Sequence, residues 1–214
     1  MNKYKLSIPK SIILLTILAV FLNILRIILW GKVSFVYILW NMFLAFIPFI
    51  ISSLLLSFLK EKKLNKTIFI PGVILWLLFI PNAPYIVTDF IHLGVTRFAP
   101  IIYDTILLFS SASVGLILGF YSLFHIEQII KTKYKSNITH LIMVIIIIMI
   151  SFGIYLGRFL RFNSWDIFTN HISLVNNIWE ILSQAVTHTE VYLYTGLFFI
   201  SLYLSYFAWK YSNK

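Results

Sequence analysis

The chain has no cysteine, only seven acidic residues, and charged residues at only 11% of its 214 positions. The missing cysteine excludes thiol nucleophiles, cysteine-ligated zinc, iron–sulfur clusters and a disulfide scaffold, and it leaves the redox compartment unread. The shortage of charge excludes a water-soluble domain, where about 25% of residues are charged and about 45–50% apolar. Here 60% are apolar and the mean hydropathy is +0.93. Eight glycines and six prolines are too few for a collagen-like or Gly/Pro-rich disordered chain. There is no P-loop, no Rossmann glycine pattern, no Gly-x-Ser-x-Gly elbow and no His-Glu-x-x-His pair. No internal repeat is visible, which counts against an inverted-repeat transporter. What is left is an integral membrane protein.

A helical span needs about 20 apolar residues. Six segments meet this, at about Ser11–Trp30, Phe35–Leu59, Thr67–Ile80, Pro100–His125, Ile138–Leu156 and Glu190–Trp209. The third is short and closes at Pro81. Lys3, Lys5 and Lys10 before the first resemble the basic start of a signal peptide. The apolar run is too long for one, and no small-x-small cleavage site comes after it, so we read an uncleaved span. The expected fold is all-α: a six-span helical bundle forming a single membrane domain over residues 1–214, with short interfacial helices on the extracytoplasmic side.

The formal net charge is +10. In a soluble protein this would suggest nucleic acid, which we exclude as a partner here, because lysine and arginine beside spans set orientation instead. Lys3, Lys5, Lys10, Lys60, Lys62, Lys63, Lys66, Lys131, Lys133, Lys135, Lys210 and Lys214 fall on one side, twelve in all, against Lys32, Arg97, Arg158 and Arg161 on the other. Both termini are therefore expected in the cytoplasm, in a cell inner or plasma membrane. Glu61 and Glu127 lie on the lysine side. Asp89, Asp104, Asp166, Glu180, Glu190, His92, His171 and His188 collect at the opposite face.

Two segments on that face hold most of the chemical variety. In Pro81-Asn-Ala-Pro-Tyr-Ile-Val-Thr-Asp-Phe-Ile-His-Leu-Gly94, Asn82 or Ala83 suits an N-cap with Pro84 in the first turn, and Gly94 suits a left-handed residue past the end. A short helix over about Pro84–Leu93 is expected. It puts Tyr85, Thr88, Asp89 and His92 on one polar stripe and Ile86, Phe90 and Leu93 on an apolar one. It is too short to span, so it reads as lying at the interface or dipping partly in and back. In Gly157-Arg-Phe-Leu-Arg-Phe-Asn-Ser-Trp-Asp166, Arg158 and Arg161 are spaced for one helix face, and Asn163, Ser164 and Asp166 can cap the next helix. From Val175 to Val186 the period is again helical, with Val175, Ile178, Trp179, Leu182, Ala185 and Val186 apolar, giving a second interfacial helix.

These two stretches resemble the signature segments of a bacterial multipass family, domain of unknown function 1361, and the order and spacing of spans agree over nearly the whole chain. The resemblance implies the fold and the membrane setting. It implies no activity, substrate or cofactor.

Asp89 and His92 are the candidate catalytic pair, as an acid–base group and its partner. Asn82, Tyr85, Thr88, Asp104, Arg158, Arg161, Asn163 and Asp166 are the candidate substrate-binding residues. The two arginines could fork onto phosphate or carboxylate. Each has a blander reading. The stripe could be a wetted helix face, and the arginines could snorkel to headgroups beside Trp165. Asp104 could pair with Arg26 or Arg158. A metal held by Asp89 and His92 with His171, His188 or Glu190 is the weaker reading, so no metal ligand is assigned. Thr187 and Glu190 fit a capping box. Ser111, Gly115 and Gly119, like Gly153 and Gly157, are small-residue steps that must pack closely against a helix or leave room for a ligand or lipid. His125 and His140 receive no role.

Three classes of function stay open. The first is a membrane enzyme acting on, or a protein binding, a lipid or an anionic cell-envelope intermediate. The second is a non-catalytic scaffold or subunit, and the third a small transporter or lipid translocator. The lipid bilayer is the one expected partner, and the sequence sets no cofactor and no oligomeric state. Both segments come after odd-numbered spans, so they are expected to meet in one outward-opening pocket, with Asp89 against Arg158 or Arg161.

Overall fold

The computed structural model describes residues 9–94, 99–184 and 189–212. Arg97, Thr187, His188 and the terminal Lys3, Lys5 and Lys214 lie outside the described residues, and so does the Thr187–Glu190 capping box. Among the described residues every regular element is helical. The α-helices are α1 (Lys10–Trp30), α2 (Tyr37–Lys60), α3 (Lys66–Phe79), α4 (Asn82–Tyr85), α5 (Ile101–Lys131), α6 (Ser136–Arg158), α7 (Asp166–Thr169), α8 (His171–Ser183) and α9 (Thr189–Ser212), with a 3₁₀ segment at Ile86–His92 after α4. Six stretches are long and apolar enough to cross a membrane: α1, α2, Lys66–His92, α5, α6 and α9. Large apolar side chains such as Leu14, Phe21 and Ile28 on α1 and Ile102 and Phe109 on α5 are exposed. In water this would be costly; against lipid tails it is the expected arrangement. The chain is a multipass helical membrane protein.

Local chemistry explains the helix ends. Gly31 closes α1 in the left-handed region, φ 63°, with its N–H on the Ile27 carbonyl at 2.8 Å. Asn65 caps α3 by accepting the Ile68 N–H at 2.9 Å. Glu61, just beyond α2, pairs with Lys63 at 2.7 Å, and that hydrogen bond and charge hold its carboxyl below the usual carboxylate range.

The chain folds as two compact units, residues 1–129 and 130–214. In the first, α5 is the most deeply buried of the spans, with Leu107, Leu108, Val114 and Leu118 inside. In the second, α6 packs along α9, and Tyr155, Ile181 and Val191 form a small core with Phe152, Leu156 and Leu160. The α5 helix runs on to Lys131, beyond the expected end at His125, so Glu127 is a buried helical residue and not part of a lysine loop.

The third span departs most from expectation. The 82–92 segment continues α3, so that Lys66–His92 forms one 27-residue helical stretch long and apolar enough to cross a membrane. Ile80, Pro81, Tyr85 and Ile86 all keep right-handed helical angles. Pro81 and Pro84 lack an N–H, so they interrupt the ladder without reversing the chain. Repairs are local, as an apolar surrounding demands. The Ala83 N–H turns to the Ile80 carbonyl at 3.1 Å, and Asn82 Nδ2 donates to the Phe79 carbonyl at 2.9 Å. Asn82 is thus a mid-span patch for the backbone and not an N-cap. Gly94 does take a positive φ, 78°.

The Ser111–Gly115–Gly119 steps face this break. A Cβ on Gly115 would run into the Ala83 carbonyl oxygen and come within 3.0 Å of Ile86 Cδ1; one on Gly119 would lie 3.3 Å from the Ala83 Cβ. The small residues of α5 therefore receive α4 backbone, at a height midway along α5. Ser111 returns its hydroxyl to the Leu107 carbonyl at 2.9 Å. A second tie runs from Trp76 Nε1 to Ser122 Oγ at 2.7 Å and from that hydroxyl to the Pro48 carbonyl at 3.0 Å, linking α3, α5 and α2.

Candidate functional site

The polar stripe of the third span turns toward α2. Asp89 is 1% exposed, and Asn41 Nδ2 donates to its Oδ2 at 2.9 Å. One turn along, the His92 ring meets Tyr37 edge-on, centroids 5.7 Å apart at 75°. Tyr37 and Asn41 are spaced i, i+4 on α2, and Asp89 and His92 i, i+3 on the facing segment, so the two pairs mesh as the segments pass. Thr88 Oγ1 donates to the Tyr85 carbonyl at 2.6 Å. Asn82, Tyr85, Thr88 and His92 are half-buried, whereas Val87 and Ile91 face outward. The sequence reading missed Tyr37 and Asn41 as site residues. The signal was present: an asparagine one turn into an apolar span, with a tyrosine on the same face.

Asp104 is engaged elsewhere in the same unit. Arg26 Nε donates to its Oδ1 at 2.7 Å and Nη2 to its Oδ2 at 3.2 Å, a bidentate pair with both residues 2% exposed or less. The guanidinium also lies 4.4 Å from the Phe35 ring centroid and reaches the Lys32 carbonyl at 3.4 Å. Beside it the Tyr103 hydroxyl donates to the Leu22 carbonyl at 2.6 Å. Of the two expected partners for Asp104, Arg26 is the one that holds it. The pair pins α1 to α5.

In the second unit, Arg158 and Arg161 do not share a helix face. The α6 helix ends at Arg158. Arg161 sits at φ 60°, and the Phe162 N–H folds back to the Leu156 carbonyl at 3.1 Å, so the left-handed residue turns the chain out of the helix. Arg158 is half-buried and Arg161 exposed. Asp166 is occupied by its own turn: Oδ2 accepts the Asn163 N–H at 2.6 Å and Asn163 Nδ2 at 3.4 Å, and Oδ1 accepts the Thr169 hydroxyl at 3.0 Å. Asp166 is therefore the first residue of α7 and ties the turn back to Asn163; neither α7 nor α8 has a side-chain N-cap, contrary to the expectation that Asn163, Ser164 or Asp166 would supply one. His171 opens α8 and is exposed. Asp89 belongs to the first unit and both arginines to the second, and the pairing of Asp89 with either stays an expectation.

Among the described residues no three His, Asp or Glu side chains gather closely enough to hold a metal ion. His125, given no role from sequence, has its Nδ1 3.2 Å from the hydroxyls of both Ser52 and Ser53.

A family model, Protein of unknown function (DUF1361), matches residues 40–204. The chain belongs to the DUF1361 family. The match begins one residue before Asn41 and takes in Asp89, His92, Asp104, Arg158, Arg161 and Asp166, so these clusters lie almost wholly inside the DUF1361 region; Arg26 and Tyr37 precede it. No curated protein and no solved structure matches the chain.

Proposed function

We propose that this protein binds, at the membrane face opposite its lysine-rich turns, a lipid or lipid-linked envelope group, with Asp89 as the polar anchor, His92 as the group able to carry a proton, and Asn82, Tyr85 and Thr88 beside them. The observation that carries the reading is the buried Asp89 carboxylate, held by Asn41 near the His92 end of the third span. A carboxylate within a span is costly, by about 2.5–3.5 kcal/mol at the helix centre and less toward its ends, and such residues mark functional sites by default. A carboxylate with an amide behind it and an imidazole one turn away suits hydroxyl or ammonium groups of a headgroup. Arg158 and Arg161, at the end of α6, serve as a separate grip for a phosphate or carboxylate. The basic residues put both termini and the lysine-rich turns in the cytoplasm, so the ligand belongs to the outer leaflet.

The test is lipid analysis of the full chain purified in nanodiscs. One lipid class should co-purify above its share of the source membrane, and Asp89→Asn or His92→Ala should reduce that enrichment several-fold while the unfolding midpoint stays near wild type. Arg158→Lys with Arg161→Lys should weaken only an anionic ligand, because lysine supplies a point charge where arginine supplies a fork. A wild-type lipid profile identical to the bulk membrane would remove the reading.

A further inference from the structure

The lysine-bearing end of the second unit carries an arrangement that the outer cluster does not use. At the foot of α9, Lys210 Nζ lies 4.9 Å from the Phe207 ring centroid and 5.9 Å from that of Tyr206. Phe207 also meets the ring of His140, on α6, at 5.3 Å. Tyr203, one turn up α9, meets Phe207 at 4.7 Å with the rings tilted 50°, and its hydroxyl is 3.4 Å from His140 Nε2. His140 is exposed and stands just over one turn from Lys135, and Lys131, Lys133 and Lys135 are exposed along the α5–α6 turn. The Phe207 ring thus lies between His140 on α6 and Lys210 on α9.

We propose that this end is a seat for the headgroup of an anionic phospholipid. Charge complementarity names the occupant. Neither residues 131–140 nor residues 203–212 contain Asp or Glu, whereas together they hold four lysines. Tyrosine and tryptophan, here Tyr203, Tyr206 and Trp209, settle at headgroup depth. The Phe207 and Tyr206 rings hold the Lys210 ammonium at the foot of α9 by cation–π contact, where it would meet the phosphate of a seated headgroup. Lysines clustered at a span end beside such rings are the recognised pattern for acidic headgroups. The proposal is independent of the Asp89 site, which lies in the other unit.

The experiment uses the full chain in nanodiscs of phosphatidylcholine alone or with phosphatidylglycerol, and reads bound lipid by native mass spectrometry. Wild type should retain phosphatidylglycerol over phosphatidylcholine. Lys210→Gln should cut that preference roughly five-fold, and the Lys131, Lys133, Lys135→Gln triple variant further, as expected for lysines at an anionic surface. Phe207→Leu should reproduce part of the Lys210 loss by freeing the ammonium from its ring. Raising salt on the wild type, where folding is not in question, should weaken the preference as screening requires. Equal retention of both lipids by wild type, or a preference untouched by Lys210→Gln and by salt, would overturn the proposal. So would full competition by water-soluble glycerol phosphate, which would make the site one for free phosphate.

Discussion

Asn41 and Asp89 hold each other across α2 and the third span: the amide nitrogen of one donates to a carboxylate oxygen of the other at 2.9 Å. The bond lies one turn from the Tyr37–His92 ring contact, so two pairs close the Tyr37–His92 end of that helix–helix seam.

Asn41→Leu removes the donor and leaves the carboxylate in an apolar seam. It should cost about 1–3 kcal/mol of stability, read as a lowered denaturant midpoint in detergent. Adding Asp89→Leu should restore part of the loss, since two apolar partners strand no polar group. A single variant that unfolds with wild type would mean the bond contributes nothing.

The Arg26–Asp104 pair is buried on both sides, so its members should be strongly non-additive. Arg26→Met alone strands a carboxylate and should destabilise by about 3–5 kcal/mol, whereas Arg26→Met with Asp104→Leu should cost much less. A double-mutant cycle measures this directly. Additive costs would show that the guanidinium and carboxylate act separately.

Gly115 lies against the Ala83 carbonyl, so Gly115→Ala must displace backbone. We expect a loss of about 1–3 kcal/mol, typical of overpacking. Gly196 on α9 has nothing within 4 Å of a built Cβ, and Gly196→Ala should be neutral or slightly stabilising through helix propensity. If both glycines tolerate alanine equally, the close approach of α4 to α5 is absent.

The distribution of basic residues predicts cytoplasmic termini. Reporter fusions after Lys66, Lys135 and Lys214 should read cytoplasmic, and those after Gly94 and Asn170 extracytoplasmic. An outside signal at Lys135 would invert the assignment of both proposed sites.

Composition and periodicity alone determined that the chain is an all-helical membrane protein with six spans, because a span of about 20 apolar residues is a local property that no tertiary contact can disguise. They also marked Asp89, Asp104 and Arg26 as residues needing partners, since the cost of charge in an apolar slab does not depend on the fold. Which partner each found was decided in three dimensions. Asp104 drew Arg26 from 78 positions away, and Asp89 drew Asn41 from 48; such pairings depend on which helix faces meet, and no spacing rule within one helix encodes that. The same holds for residues 82–92. Two prolines and a glycine after them look locally like a stop and a new interfacial helix, yet Asn82 repairs the ladder, and Gly115 and Gly119 on a distant helix leave room for the break inside the bundle. Arg158 and Arg161 failed as a helix-face pair for a smaller reason: one residue at φ 60° redirects the chain, and a single backbone angle of that kind leaves no trace in side-chain periodicity.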